Sequence, residues 1–149
     1  MKPFPIKREM LAACRGDASD THPLLPIARE LSEIHQRLLT VDDDTRAAID
    51  RRRAELIHVI DAWVALELPP ALGCARLHTE TMGAVIDRLA EFSACALEAL
   101  SVGGDSFIAW ERLAELAVGY EDLTAEVSSG RRRLPCAPRE VAPYRVARR

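Results

Sequence analysis

The sequence predicts an all-α protein: an antiparallel four-helix bundle with a short N-terminal helix and an irregular, basic C-terminal tail. Three observations carry this. Apolar residues recur at helical spacing through four long segments. Glycine, proline and aspartate cluster between those segments, where helices start and stop. No alternating strand pattern, internal repeat or glycine-rich phosphate loop interrupts them. The 149 residues suit one domain, and 48% apolar with 29% charged residues suits an ordinary globular core.

Residues Lys7 to Arg15 form the short helix, stopped by Gly16. A polar stretch follows, and the first long helix runs from about Leu24 to Leu39. Leu24, Ile27, Ala28, Leu31, Ile34 and Leu38 make its apolar stripe, and Pro26 fits its first turn. Asp42, Asp43 and Asp44 open the second, from about Thr45 to Leu68, where acids suit the positive end of the helix dipole. Pro69 and Pro70 end it. The third runs from about Thr79, as its cap, to Leu100 and stops at Gly103–Gly104. The fourth starts at Asp105 or Ser106 and ends before Gly130, a C-terminal glycine. Short connections favour up-down-up-down order. The division is therefore an arm over 1–21, a bundle over 22–130 and a tail over 131–149.

Charge limits the function classes. The net charge of −3 gives no global pull toward nucleic acid or membrane. Seven arginines against one acid, Glu140, give the tail +6 and leave −9 on the rest. Pro135, Pro138 and Pro143 oppose helix there, so the tail reads as a mobile basic arm. No apolar run approaches the roughly 18 residues of a membrane span. Cys14, Cys74, Cys95 and Cys136 form no CxxC pair. Without a signal peptide they point to reduced thiols and a cytoplasmic protein.

Helical-wheel positions put His35, Arg53, Asp61, His78 and Tyr120 toward the interior. Buried polar groups need partners, so these five are a candidate inward network. The plainer reading gives His35 and Tyr120 one hydrogen bond each while Arg53 reaches solvent. An Arg–Asp pair among them would be a candidate anion site. On the third helix Glu80, Asp87, Glu91 and Glu98 share one stripe, opposite Met82, Leu89 and Leu100. Acids there normally face water, yet Gly83, Ala84, Ala90 and Ala94 beside them would admit a second helix, from another subunit for instance.

Metal chemistry finds little support. Glu55 and His58 have the Glu-x-x-His spacing of di-iron bundles, but such sites need two copies and these two face away from Ile49, Leu56 and Ile60. Scattered cysteines give no zinc pair. No metal or cofactor is expected.

Several motifs resemble one bacterial family. They are His22-Pro23-Leu24-Leu25, Ile49-Asp50-x-x-Arg53 with Ile60-Asp61-x-Trp63, and His78-Thr79-Glu80-Thr81-x-Gly83 with Ile86-Asp87-Arg88-Leu89-Ala90. Gly119-Tyr120-x-Asp122-Leu123 and Gly130-Arg131-Arg132-Arg133-Leu134-Pro135 complete the set. Together they resemble the actinobacterial branch of domain-of-unknown-function family 4254 (DUF4254), from about His22 to Pro135. The resemblance implies an all-helical domain and brings no reaction, cofactor or partner. In other branches the third motif looks like Asn-Thr-Glu-Thr-Pro-Gly; here His78 and Met82 replace Asn and Pro, and Ala90 replaces a serine. Thr79, Glu80, Gly83, Asp87 and Arg88 match and form the candidate ligand-binding or motif site.

Three functions follow as expectations. One is an interaction domain, self-associating through the Gly83–Ala84–Asp87–Ala90 face. The second is a small biosynthetic enzyme or binding protein with a polar cleft of Glu80, Asp87, Arg88 and either Arg53 or His78, in which Glu80 or Asp87 is the base and an arginine holds a small anionic metabolite. Nucleic-acid binding by the tail is the weakest, because the helices lack a basic stripe.

Overall fold

The computed structural model describes residues 3–135. It is built from five helices: α1 (Lys7–Cys14), α2 (Leu24–Leu38), α3 (Asp43–Glu67), α4 (Met82–Ser101) and α5 (Phe107–Ser128). Two two-residue strands, β1 (Arg76–Leu77) and β2 (Arg132–Arg133), pair in parallel. The all-helical expectation holds, apart from this small sheet. The tail is not wholly irregular, since the chain from Gly130 onward clamps onto the α3–α4 link: Leu72 N–H donates to Gly130 O at 3.1 Å and His78 N–H to Arg133 O at 2.7 Å. Cys136 and the remaining tail arginines lie outside the described residues.

Local chemistry sets the ends. Asp42 caps α3, its carboxylate accepting Thr45 N–H at 3.0 Å. Thr81, not Thr79, caps α4, accepting Ala84 N–H at 3.2 Å. Asp105 Oδ1 accepts Phe107 N–H at 3.0 Å ahead of α5. Gly103 and Gly130 follow α4 and α5 at φ of 70° and 75°, the left-handed turn that glycine adopts freely.

Packing centres on α4. It contacts α1, α2, α3 and α5, and its most extensive contact is with α2. In a ring of four helices α2 and α4 would sit diagonally; here they touch directly, and α1 lies against both α2 and α5. Buried residues accordingly surround most of α4: Met82, Val85, Ile86, Leu89, Ala90, Ala94 and Ala96. The short helix α1 belongs to the same core through Met10, Ala13 and Cys14. Ser32 Oγ donates to Cys14 O at 2.6 Å, and Tyr120 Oη donates to Pro5 O at 2.8 Å. His22 fixes the chain entering α2: Nδ1 accepts Leu24 N–H at 3.1 Å, which leaves Nε2–H to donate to Pro3 O at 2.9 Å. Its ring meets Trp63 edge-on, as Phe4 does. The described cysteines Cys14, Cys74 and Cys95 are free thiols.

Candidate polar site around Asp87

The site grows from one buried carboxylate. Asp87 sits one turn into α4, 5% exposed. From α2, His35 Nε2–H donates to Asp87 Oδ1 at 2.8 Å. From α3, Arg53 Nε lies 3.0 Å from Oδ1 and 3.1 Å from Oδ2, while Nη2 donates to Oδ2 at 2.8 Å. Asp50, one turn before Arg53, lies 3.6 Å from its Nη1. Three helices thus meet at one charge. Burial pushes the Asp87 pKa up, but hydrogen bonds and charge from His35 and Arg53 outweigh it and hold it below the ordinary carboxylate range. The Arg53 pKa is raised, chiefly by its hydrogen bond to Asp87.

A cleft of about 460 Å³ opens beside this network, lined by His35, Arg46, Asp50, Arg53, Glu91 and Cys95 among others. His35 Nδ1 has no hydrogen-bond partner among the described residues, and it is not one of the fully enclosed polar atoms. One ring nitrogen is therefore held by a carboxylate, and the ring lines the cleft. Arg46 Nη2 donates to Leu38 O at 3.2 Å, and its other guanidinium donors have no partner among the described residues. Burial and, less strongly, Glu91 raise the Cys95 thiol, so Cys95 is a poor nucleophile.

A second buried carboxylate lies one turn earlier along α4. Asp61 of α3 accepts Gly83 N–H at 2.8 Å through Oδ1. Gly83 is required by this contact: a Cβ there would stand 2.6 Å from Ile57 O and 2.7 Å from Asp61 Oδ1. Burial raises the Asp61 pKa, offset in part by Gly83 and Thr81.

The predicted residues therefore separate. Only His35 and Arg53 of the inward set come together, and their partner is Asp87, not Asp61. Tyr120 is occupied by Pro5 at another place. His78 is not on α4 at all; it lies in the preceding loop, where Nδ1 accepts Glu80 N–H at 3.2 Å. Thr79 is exposed and caps nothing. Glu80 accepts from Arg88 and ties the loop to α4, so neither stands free to take a ligand. Glu91 and Glu98 face solvent as expected, but Asp87 does not. The Gly83–Asp87 face is covered by helices α2 and α3 of the same chain, which corrects the expectation of water or another subunit there. Wheel arithmetic misses this because it assumes one solvent side per helix, and α4 has little. The small residues Gly83, Ala90 and Ala94 are the available signal. Arg46 gives none.

The fold and site define an all-helical domain organised round a central helix, with a buried carboxylate shared by two neighbouring helices. Residues 31–102 match the model of a family described as protein of unknown function, DUF4254, which supports that family for the chain. The matched segment contains His35, Arg53, Asp61, Gly83 and Asp87, and leaves out α1 and α5. Neither a search of curated proteins nor one of solved structures found a match. No described helix is long and apolar enough to cross a membrane, and no described group of His, Cys, Asp or Glu could hold a metal ion.

Proposed function

We propose that this is a ligand-binding domain of small-molecule metabolism whose cleft beside His35 takes a small organic acid, with capacity for proton transfer. The observation that carries it is His35 itself, held at Nε2 by buried Asp87, lining a cleft and without a partner at Nδ1 among the described residues. A carboxylate that fixes the ring and faces an imidazolium is the arrangement by which histidine serves as a general base. In that role Nδ1 accepts the ligand's proton, Asp87 stabilises the resulting charge, and Arg46 holds the ligand's anionic group. Asp87 is too enclosed to be the base, so its role is to position His35. The HTETMG and IDRLA residues support an actinobacterial protein, and the free thiols support a cytoplasmic one.

Thermal unfolding with acetate, glycolate and inorganic phosphate as probes tests the reading, because a ligand that prefers the folded state raises Tm. At least one probe should raise the Tm of the wild type and not that of Arg46→Ala. If no probe does, or if Arg46→Ala responds equally, the reading fails. A self-associating interaction domain is the second reading. Its support is the exposed apolar group Leu100, Val102, Phe107 and Ile108 at the α4–α5 turn. A monomer by light scattering at high concentration would remove it.

A further inference from the structure

We propose that a separate cleft, between α3, the start of α4 and β2, binds a small, neutral, mainly apolar molecule that carries a hydroxyl donor, with Asp61 as the acceptor. The cleft is about 430 Å³, within the roughly 300–1,000 Å³ of small-molecule sites. Val64, Leu68, Pro69, Met82, Val127 and Leu134 give it apolar walls, and it shares no lining residue with the cleft beside His35. Its polar groups are Asp61, Thr81, Arg132 and Arg133.

Asp61 is the group that makes this a site. Its carboxylate is buried, yet the Gly83 amide at Oδ1 and the Thr81 hydroxyl take only two of roughly four acceptor positions. A buried charge with unused acceptor capacity gains from a further donor. Charge selects the kind of donor. An anionic group would be repelled by Asp61. A cationic one would be opposed by Arg133, whereas Arg132 is already bound to Glu126 at 2.9 Å. A neutral hydroxyl on an apolar body meets the acceptor without either conflict. The burial that raises the Asp61 pKa agrees with an apolar site.

The Gly83 amide reports directly on Asp61, so amide NMR of the full chain tests the proposal. Phenol and anisole are the probes; they have nearly the same shape, and only phenol donates. Phenol should move the Gly83 resonance in a saturable way, with anisole weaker by about tenfold or more, as expected where a buried acceptor would be left unpaired. Ala65 is an exposed wall residue of the cleft. Ala65→Trp should abolish the phenol response while amides around His35 keep their positions. The proposal is overturned if neither probe saturates, if both move Gly83 alike, or if a folded Ala65→Trp still responds. Should Ala65→Trp misfold, the comparison of phenol with anisole in the wild type decides alone.

Discussion

Along the contact between α3 and α4, two aspartates are buried one helical turn apart. Asp61 reaches from α3 to the first turn of α4, where it meets a backbone amide and an apolar cleft. Asp87 points from α4 to an arginine and a histidine on two other helices. Both are taken from water, and burial alone would raise both pKa values. Only Asp87 gains enough positive partners to reverse the sign. Burial therefore sets the direction of the shift at Asp61, and the number and charge of the donors reverse it at Asp87. The same difference separates roles: Asp87 locks three helices and positions His35, whereas Asp61 keeps acceptor capacity toward a cleft.

The largest expected effect comes from removing the charge at the hub. Asp87→Ala leaves the His35 donor and the Arg53 guanidinium without their partner, and should lose about 3 kcal/mol in urea unfolding at neutral pH. The sign with pH follows from the lowered pKa. The stability that ionised Asp87 contributes is present above the ordinary carboxylate range and is lost as pH falls through its folded value. The gap between wild type and Asp87→Ala should therefore shrink in acid.

Next is the close approach beside Asp61. Gly83→Ala forces a Cβ against Ile57 O and Asp61. Overpacking against a backbone carbonyl costs up to about 3 kcal/mol, and the better helix propensity of alanine returns about 1 kcal/mol. A net loss of about 2 kcal/mol is expected. Tyr120→Phe, which leaves Pro5 O without its donor, should lose about 1 kcal/mol. Gly119 is the contrast on α5, where a Cβ would meet nothing within 4 Å among the described residues and the backbone is helical. Gly119→Ala should gain about 0.5 to 1 kcal/mol. If both glycine variants shifted stability in the same direction, the close α3–α4 contact at Gly83 would not be what sets the cost there.

Alkaline conditions sharpen the comparison from the other side. Burial pushes Cys14 from 9.0 up to about 11, partly opposed by the Ser93 hydroxyl nearby and by Arg15, and burial raises Tyr120 as well. A raised acid pKa means stability that is complete below the unfolded value and lost as pH rises through the folded one. Chemical unfolding should show a decline above pH 9 that is smaller in Cys14→Ala than in the wild type.

Much of the scaffold is legible in the sequence. The helices follow from periodicity, and their ends from Asp42, Gly103 and Gly130, because these are local signals. A start of α4 at Thr79 instead of Thr81 is an error of two residues, since either threonine satisfies the capping rule and only Ala84 N–H decides between them. The site is legible in its parts and not in its pairing. The structure buries His35 and half-buries Arg53 beside it, but wheel positions leave their partner on the wet stripe of α4. No local pattern says that four elements surround one helix. Gly83 illustrates the limit most clearly: its size signals that a neighbour can approach, and the neighbour is α3 of the same chain.

The central claim is that the two buried carboxylates are tuned in opposite directions by what surrounds them. Carbon-13 NMR of the aspartate carboxyl groups across acid pH tests this directly. Asp61 should titrate above the ordinary 3.8 and Asp87 below it, with Arg53→Met moving Asp87 upward and leaving Asp61 in place. Midpoints that coincide, or that stand in the reverse order, would contradict it.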